Sequence, residues 1–369
     1  MSLRIIISGG GTGGHVFPAL AIANAIKKMR PGTEILFIGA QGKLEMEKVP
    51  AAGYPVVGLP VIGMPRKFSF RFISFVIRWI RSLLKARKIL KKFRPHAVIG
   101  VGGYASAPVL QMAVRMRIIT LIQEQNSYAG LVNRSLAAKV NRICVAYSGL
   151  EKYFPAAKIV FTGNPVRRSI LQCGALRKEA LEYFGFTDEM PVVLILGGSL
   201  GAGTINRSVA ENIKLLDSQN VQVIWQCGDA YARQAGTEVL SGKRIRLVPF
   251  IERMEMAYAA ADIIISRAGA GTISELCVVG KPAILVPSPN VAEDHQTKNA
   301  MMLASSGAAL VIPDGEALEK LIPSVLALLG DPERCRMMAE KIKELAVTDA
   351  DERIAREVFA LTDKLEHVS

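Results

Sequence analysis

The chain has 369 residues, half of them apolar, and a formal net charge of +14. This length exceeds what one hydrophobic core usually serves and predicts about two domains, while the apolar content excludes an intrinsically disordered protein. The five cysteines are scattered and form no Cys-x-x-Cys, which argues against a disulfide framework or a zinc site and favours reduced thiols in a cytosolic protein.

Short apolar strands alternate with helical segments along the whole chain, the pattern of parallel sheets covered by helices on both faces. In the first half we predict strands at Arg4–Ser8, Ile35–Ile38, Ala97–Val101, Ile118–Ile122, Arg142–Val145 and Ile159–Phe161. In the second half we predict Val192–Leu196, Val221–Gln226, Ile245–Pro249, Ile263–Ser266, Ala283–Val286 and Ala309–Val311. Gly and Pro punctuate the junction Thr162–Arg167, and a final helix, Asp351–Glu366, can pack back on the first domain.

No membrane span is predicted. The strand after Met1 is too short for the apolar region of a signal peptide. The longest uncharged stretch, Ala97–Val114, is broken by three glycines and Pro108, so it is interpreted as strand, turn and helix. We therefore expect a protein that is soluble or lies on a surface.

The excess positive charge comes from one segment. Between Glu47 and Glu124 there is no acidic residue but there are 14 Lys and Arg, so the rest of the chain has 46 − 14 = 32 basic residues against 32 acidic ones. Within this interval, Arg71–Lys92 alternates basic and apolar residues at helical spacing, which predicts a basic amphipathic helix.

Two interpretations of this helix are open. Its apolar side can pack on the protein's own sheet, or it can enter an anionic membrane surface while Lys and Arg contact headgroups. We favour the membrane because the apolar side is wide and no carboxylates are interspersed, and we expect Val76 and Leu90 on the buried side. Nucleic acid is disfavoured because no module typical of nucleic-acid binding is recognisable.

Two of the strands continue into glycine-rich turns, Gly9–His15 and Gly197–Gly203, which open helices. Such turns bring backbone N–H groups close to phosphate, with a helix N-terminus behind them. One loop in each half predicts two α/β domains that face one another across a nucleotide-binding cleft.

The first loop matches Gly-x-Gly-x-x-Gly, but the second strand ends without the carboxylate that would hold the ribose of a dinucleotide. A nicotinamide oxidoreductase is therefore disfavoured, and a Walker A motif is absent because Gly280-Lys281 is followed by Pro282. His15 at the end of the loop is a candidate general base, since the unperturbed pKa of histidine lies near neutrality. The alternative is a helix-capping or packed histidine.

In the second half, Ser266–Glu275 again joins a strand to a helix through glycines. The loop N–H groups and Thr272 can hold a diphosphate, and Glu275, one turn further on, can accept hydrogen bonds from both hydroxyls of a ribose. The alternative role for Glu275 is a capping-box partner. A polar loop within Pro289–Asn299 suits hydrogen bonding to a sugar, and the Asp-x-Asp at Asp349–Asp351 lies away from the strand ends, so no metal ligands are predicted.

A series of motifs then resembles one family. The motifs are Gly10-Gly-Thr-Gly-Gly-His15, Gly102-Gly-Tyr-Ala-Ser-Ala-Pro108, Glu124-Gln-Asn126, Gly163-Asn-Pro-Val-Arg167, Gly197-Gly-Ser199, Arg267-Ala-Gly-Ala-Gly-Thr-x-x-Glu275 and Asp294-His-Gln296. In this order, over essentially the whole chain, they resemble the undecaprenyl-diphospho-muramoylpentapeptide β-N-acetylglucosaminyltransferases, the GT-B enzymes that convert lipid I to lipid II.

The resemblance implies two Rossmann-like domains facing a cleft: residues 1–163 with a C-terminal helix 345–369 for acceptor and membrane, and residues 164–344 for the donor. It implies inverting transfer of N-acetylglucosamine from UDP-N-acetylglucosamine to the 4-hydroxyl of the muramoyl sugar of lipid I, in peptidoglycan and cell-wall biogenesis and so in cell shape and division. It further implies a peripheral protein on the cytoplasmic face of the bacterial inner membrane that requires no cofactor, with stimulation by a divalent cation left open.

The resemblance also implies roles for individual residues, beside His15 as the candidate base. The donor-binding residues would be Thr12, Gly13, Gly14, Asn126, Arg167, Ser199, Phe250, Ile251, Gly271, Thr272, Glu275, His295 and Gln296. The acceptor-binding residues would be Gly10, Gly11, Thr12, Gly13 and Tyr104. The membrane-facing residues would be Ile73, Ile77, Ile80, Leu83, Arg78, Arg81, Lys85 and Lys88.

Within the implied roles, Ser199, Arg167, Gly271 and Thr272 would serve the diphosphate, Phe250 and Ile251 uracil, Glu275 the ribose, and Asn126, His295 and Gln296 the N-acetylglucosamine. Three alternatives stay open: a GT-B glycolipid glycosyltransferase, a UDP-sugar epimerase, and a non-catalytic nucleotide-sugar-binding protein.

Overall fold

The computed structural model describes residues 2–63, 70–198, 201–234, 244–291 and 294–366. The chain divides into two compact units. The first unit comprises Met1–Val166 and Asp349–Ser369, and the second comprises Arg167–Thr348. Each unit contains one parallel β-sheet with helices, which confirms the predicted class of two α/β domains.

The sheet of the first unit has seven strands in the order β3-β2-β1-β4-β5-β6-β7, with every neighbouring pair parallel. The strands are β1 (Arg4–Ser8), β2 (Glu34–Ala40), β3 (Val56–Leu59), β4 (Ala97–Gly100), β5 (Ile119–Glu124), β6 (Arg142–Val145) and β7 (Ile159–Phe161). The helices are α1 (Gly13–Met29), α2 (Glu45–Ala51), α3 (Phe70–Phe93), α4 (Ser106–Arg115), α5 (Leu131–Leu136) and, from the end of the chain, α16 (Ala350–Glu366).

The sheet of the second unit has six parallel strands in the order β10-β9-β8-β11-β12-β13. Its strands are β8 (Val192–Leu196), β9 (Gln222–Gln226), β10 (Ile245–Val248), β11 (Ile263–Ser266), β12 (Ala283–Leu285) and β13 (Leu310–Val311). Its helices are α6 (Arg168–Leu171), α7 (Arg177–Phe184), α8 (Gly203–Glu211), α9 (Ile213–Ser218), α10 (Asp229–Gln234), α11 (Met254–Ala260), α12 (Ala270–Val279), α13 (His295–Ser305), α14 (Ala317–Leu329) and α15 (Pro332–Glu344).

The strands are continuous apolar runs because both faces of each sheet are buried. Along β1, Ile5 and Ile7 pack with α1 and α16 on one face, whereas Ile6 packs with residues of α3, α4 and α5 on the other. In the second unit the fully buried indole of Trp225 packs among β8, α8 and α14, and its Nε1 donates to Asn206 Oδ1 at 3.0 Å.

The last helix completes the core of the first unit. The side chains of Ile354, Ala355, Val358 and Phe359 are buried against β1 and α1. On the rim of this contact, Arg142 Nε of β6 lies 3.0 Å from Glu357 Oε2. The predicted return of this helix to the first domain is confirmed.

One strand was missing from the sequence prediction. All twelve predicted strands are present, with ends shifted by no more than two residues, but β3 is an additional strand at the edge of the first sheet. It is short, follows Pro55 and contains Gly58, so neither its length nor its β-propensity distinguishes it from a loop.

Both sheets contain a topological switch point, where the strand order reverses. In the first sheet it lies between β1 and β4, and in the second between β8 and β11. Ligands of open α/β sheets bind at the carboxyl ends of the strands beside such a point. The two glycine loops follow β1 and β8, so each lies at the switch point of its own sheet.

Candidate active site

The first glycine loop packs closely on the loop that follows β4. Gly10 and Gly11 have φ of 151° and 94°, and a Cβ added at Gly103 would lie 2.2 Å from the carbonyl oxygen of Gly10. At the end of β1, Ser8 Oγ donates to the carbonyl of Ile38 at 3.0 Å. The backbone of the loop after β1 therefore lies against the backbone of the loop after β4, a close approach that a side chain at Gly103 would prevent.

His15 is the third residue of α1 and is half-buried. Thr12 is the N-cap residue and accepts the backbone N–H of His15 at 3.1 Å. The imidazole lies against Gly102, where an added Cβ would be 2.8 Å from Cε1. His15 is therefore not the N-cap, and its ring lies at the switch point, where the loops after β1 and β4 meet.

Tyr104, the predicted acceptor contact, follows the two glycines of the second switch-point loop. Its side chain is 59% exposed, and its ring lies next to Gly63, where an added Cβ would be 3.1 Å from Cζ. An exposed phenol beside a glycine loop is available to a ligand. Two adjoining loops of the first unit thus carry the predicted acceptor residues and the candidate base: Gly10, Gly11, Thr12, Gly13, Gly14, His15 and Tyr104.

Asn126 is held by a buried carboxylate that the prediction gave no role. Glu124, at the end of β5, is 2% exposed. Its Oε1 accepts the backbone N–H and Nδ2–H of Asn126 at 3.1 and 3.3 Å, and its Oε2 accepts Gly130 N–H and Asn133 Nδ2–H, both at 2.9 Å. Burial raises the pKa of Glu124 above its ordinary value, and these four hydrogen bonds act in the opposite direction. The loop that carries Asn126 is therefore fixed by one side chain.

In the second unit, the glycine loop after β8 is held by Gln226. Gly198 N–H donates to Gln226 Oε1 at 3.1 Å, and Gln226 Nε2 donates back to the Gly198 carbonyl at 2.8 Å. Gly201, with φ of 79°, leaves no room for a Cβ, which would lie 2.1 Å from the carbonyl oxygen of Cys227. Ser199, the predicted diphosphate contact, lies outside the described residues.

The loop after β11 opens α12, in which Gly271 and Thr272 are the second and third residues behind the N-cap Gly269. Their N–H groups belong to the helix N-terminus, which favours negative charge. The predicted diphosphate contacts Gly271 and Thr272 therefore stand at the switch point of the second sheet.

Arg267 in this loop connects it to two other segments. Its Nη1 donates to the carbonyls of Val286 and Pro287 at 3.0 and 3.2 Å, and it pairs with Asp314 Oδ1 at 2.5 Å. The other carboxylate oxygen of Asp314 accepts the hydroxyl of Thr204 on α8 at 2.9 Å. Asp314 is a residue that the sequence analysis missed, because its partners are distant along the chain.

Glu275 is the sixth residue of α12, not one of its caps, so the capping-box alternative is wrong. Its carboxylate accepts from Arg167 Nε at 2.9 Å and Nη2 at 3.1 Å, and from the hydroxyl of the fully buried Tyr258 at 2.9 Å. Burial raises the pKa of Glu275, whereas the charge of Arg167 lowers it. Arg167, predicted at the diphosphate, pairs with the predicted ribose contact in this structure.

The remaining predicted donor residues lie on two loops at the same edge of the second sheet. Phe250 and Ile251 follow β10, the first exposed and the second buried. His295 is the first residue of α13, after β12. Gln296 Oε1 accepts the N–H of Ser288 at 2.9 Å and so braces the loop between β12 and α13.

The basic amphipathic helix is α3, and most of its predicted membrane face is open to solvent. Ile73, Ile77 and Ile80 are 58%, 50% and 51% exposed. Arg78, Arg81 and Lys88 are exposed as well. None of the described helices is long and apolar enough to cross a membrane.

Three details of the prediction for α3 are corrected. Leu83 is partly buried against the core of the first unit, so it does not belong to the exposed face. Lys85 Nζ donates to the carbonyl of Gly58 on β3 at 2.7 Å, so its ammonium group is directed towards the protein and not towards a lipid headgroup. Val76, expected on the buried side, is 38% exposed, whereas Leu90 is buried as predicted.

Two family models match the chain. The glycosyltransferase family 28 N-terminal domain matches residues 5–145, and the glycosyltransferase family 28 C-terminal domain matches residues 192–354. The two matches fall on the first and second sheets respectively.

Curated relatives of this chain include two proteins with the name UDP-N-acetylglucosamine--N-acetylmuramyl-(pentapeptide) pyrophosphoryl-undecaprenol N-acetylglucosamine transferase. The protein from Bacteroides fragilis is 51% identical over 98% of this chain and 97% of its own length. That from Cytophaga hutchinsonii is 50% identical, over 97% of this chain and 96% of its own length.

Two solved structures share the fold. MurG of Acinetobacter baumannii superimposes with a TM-score of 0.76 at 28% identity, over 96% of this chain and 98% of that one. UDP-GlcNAc 2-epimerase from Neisseria meningitidis has a TM-score of 0.69 at 16% identity, over 98% and 100%, which shows a shared fold alone. The sequence identities over nearly the full length establish that this chain belongs to the N-acetylglucosaminyltransferases of glycosyltransferase family 28.

Proposed function

We propose that this protein transfers N-acetylglucosamine from UDP-N-acetylglucosamine to the 4-hydroxyl of the muramoyl sugar of lipid I, with inversion, releasing UDP and forming lipid II. The observation that supports this most strongly is the identity of about half of all residues with transferases whose name states this donor and this acceptor. In each unit a glycine loop and a helix N-terminus also lie at the switch point of the sheet, where a diphosphate can bind.

In the proposed reaction, His15 accepts the proton of the acceptor hydroxyl. As this proton is transferred, the hydroxyl oxygen attacks the anomeric carbon and the bond from that carbon to UDP breaks. The position of the imidazole at the switch point of the first sheet, beside Gly102, supports this role. Transfer of the proton during attack avoids an unstable oxonium intermediate.

Negative charge grows on UDP as the bond breaks. We assign its stabilisation to the N–H groups at the start of α12, at Gly271 and Thr272, and to the loop after β8. Arg167 would add to this only by exchanging part of its pairing with Glu275 for the diphosphate. Because these groups supply positive charge from the protein itself, we propose that no cofactor is required and that a divalent cation stimulates at most.

We further propose that the protein works as a peripheral protein at the anionic cytoplasmic face of the bacterial membrane, with α3 as its contact. An apolar strip flanked by Arg78, Arg81 and Lys88 supports this, since apolar side chains enter the acyl boundary and basic ones meet headgroups.

The test is release of UDP from UDP-N-acetylglucosamine in the presence of a lipid I analogue, with a reaction lacking the acceptor as control. We expect UDP release that depends on the acceptor and forms a disaccharide product. Conversion of UDP-N-acetylglucosamine to an epimer without acceptor would identify an epimerase instead, and tight UDP-sugar binding without turnover would identify a binding protein.

A further inference from the structure

Glu45 is a buried carboxylate at the rim of the first glycine loop. It is the first residue of α2 and is 2% exposed. Its Oε1 accepts the N–H of Ala40 at 2.7 Å and its Oε2 accepts the N–H of Gly11 at 2.9 Å. One side chain therefore joins the loop that follows β1 to the last residue of the neighbouring parallel strand β2.

Two glycines make room for this carboxylate. A Cβ at Gly10 would lie 2.0 Å from Glu45 Oε1, and a Cβ at Gly39 would lie 2.3 Å from Glu45 Cγ. Since Gly39 has no positive φ, its lack of a side chain is explained by packing against Glu45 and not by backbone conformation. Gly10 likewise leaves room for the Glu45 carboxylate, and it also has the positive φ that the loop requires.

The hydrogen bond to Gly11 decides which amides of the loop can meet a ligand. An N–H that donates to a buried carboxylate is directed into the protein, so Gly11 N–H is not aimed at an incoming anion. The N–H groups of Gly13 and Gly14, the first two residues of α1, belong to the helix N-terminus instead. Glu45 thus fixes the turn that precedes both these amides and His15.

We propose that Glu45 is a positioning residue for the acceptor half of the reaction. It holds the turn Gly10–Thr12 so that the start of α1 presents its amides to the acceptor diphosphate and its imidazole to the acceptor hydroxyl. This inference rests on the proposed function. It means that the conformation of the glycine loop depends on a residue outside the glycine motif.

The test uses Glu45→Gln, which keeps the shape of the side chain but turns an NH₂ group towards one of the two N–H donors. The matched control is Glu47→Gln on the same helix, where the carboxylate is exposed beside Lys48. We expect Glu45→Gln to lower kcat/KM for a lipid I analogue by about 10–100-fold, because small misplacement of reacting groups costs this much. The dissociation constant for UDP-N-acetylglucosamine should change less, by no more than about fivefold, since most of the predicted donor contacts lie in the second unit.

A loss of thermal stability with unchanged acceptor kinetics in the folded fraction would overturn the proposal, as would equal losses in Glu45→Gln and Glu47→Gln. Glu45→Asp, whose shorter side chain cannot reach both amides, should behave like Glu45→Gln. If it recovered normal acceptor kinetics, the two-amide bridge would not be the cause.

Hydrogen exchange separates this proposal from the proposed function. The amides of Gly11 and Ala40 should exchange faster in Glu45→Gln than in the wild-type protein and in Glu47→Gln, whatever the reaction catalysed. A wild-type protein without acceptor-dependent UDP release would refute the proposed function. Unchanged exchange at both amides would refute the bridge itself.

Discussion

Arg167 and Glu275 form a two-point ion pair, with Nε–Oε1 at 2.9 Å and Nη2–Oε2 at 3.1 Å. Arg167 is the first residue of the second unit, and Glu275 lies on the helix that opens at the switch point of that unit. The hydroxyl of Tyr258 is the third donor to the carboxylate, at 2.9 Å. These three donors fix the orientation of the carboxylate and occupy three of its roughly four acceptor positions, so about one position is left for a ribose hydroxyl.

Replacing Glu275 by Ala should raise the KM for UDP-N-acetylglucosamine by about 10–100-fold with a smaller effect on kcat, because a ribose contact is made in ground and transition states alike. Steady-state kinetics at varied donor concentration measure this. The control is Glu340→Ala, an exposed carboxylate of the same unit on α15. An unchanged donor KM together with a lower melting temperature would show that Glu275 serves only as the structural partner of Arg167.

The same carboxylate predicts a pH dependence. Since burial raises the pKa of Glu275, it takes up a proton at a pH above the usual value of about 4.3. The donor KM should therefore increase as the pH falls towards that range, and Glu275→Gln should not show this increase. The folded-state pKa lies above the unfolded one, so the contribution of Glu275 to the free energy of unfolding is greatest below the unfolded pKa. It is lost as the pH rises through the folded pKa.

Replacing His15 by Ala should lower kcat by about 10²–10⁴-fold, as expected for loss of a general base, with the donor dissociation constant unchanged. The matched control is His96→Ala at the other end of the sheet, where Nδ1 accepts the N–H of Arg4 at 2.9 Å. That variant should lose some stability but keep its kcat. Near-normal turnover by His15→Ala would remove the assignment and direct attention to Asn126.

Asp314 should matter to the donor site although it is not one of the predicted contacts. Its carboxylate connects Arg267 to Thr204, so Asp314→Ala should loosen the loops after β8 and β11 together. We expect a donor KM raised by about 5–50-fold and a free energy of unfolding lowered by about 1–3 kcal/mol. Glu316→Ala, two residues further on and exposed, is the control. Equal behaviour of the two variants would contradict this role.

The exposed strip of α3 should bind anionic vesicles in a salt-sensitive manner. Replacing Ile73 and Ile77 by Ser should weaken binding in a vesicle sedimentation assay without lowering the melting temperature, because exposed positions contribute little to stability. Turnover of a short, water-soluble lipid I analogue should persist. Leu83→Ser is the contrasting variant, since Leu83 packs on the core and its replacement should destabilise the fold. Unfolding by the Ile73 and Ile77 replacements would mean that this strip is core as well.

The fold was predictable because local signals coincided. Each buried strand is an apolar run that ends in Gly, Pro or a polar turn, and such signals do not depend on distant residues. β3 lacks them, and its absence from the prediction explains one further error. Lys85 was predicted to face the membrane, but it donates to the carbonyl of Gly58 on β3. Without β3 in the prediction, this hydrogen bond could not be foreseen.

The residues that support the site could not be predicted in the same way. Glu45 belongs to none of the recognised motifs, and the residue to which it is hydrogen-bonded, Gly11, lies 34 positions away along the chain. Asp314 is 47 positions from Arg267 and lies in a short turn of ordinary composition. Glu124 stood inside a recognised motif, but its four hydrogen bonds depend on the loop after β5 folding back over it. Motifs indicate which side chains can meet a ligand, whereas the groups that hold them are fixed by tertiary contacts.

The burial of α16 against β1 and α1 has a consequence for how the protein is made. A ribosome delivers the chain from the N-terminus, and domains generally fold as they emerge. The first unit, however, lacks the apolar side chains of Ile354, Val358 and Phe359 until residues 350–366 have been synthesised. The second unit, Arg167–Thr348, is by then complete. We therefore expect the first unit, whose synthesis begins first, to complete its folding last. Until then, the apolar surface that α16 will cover stays exposed and must be kept from aggregating.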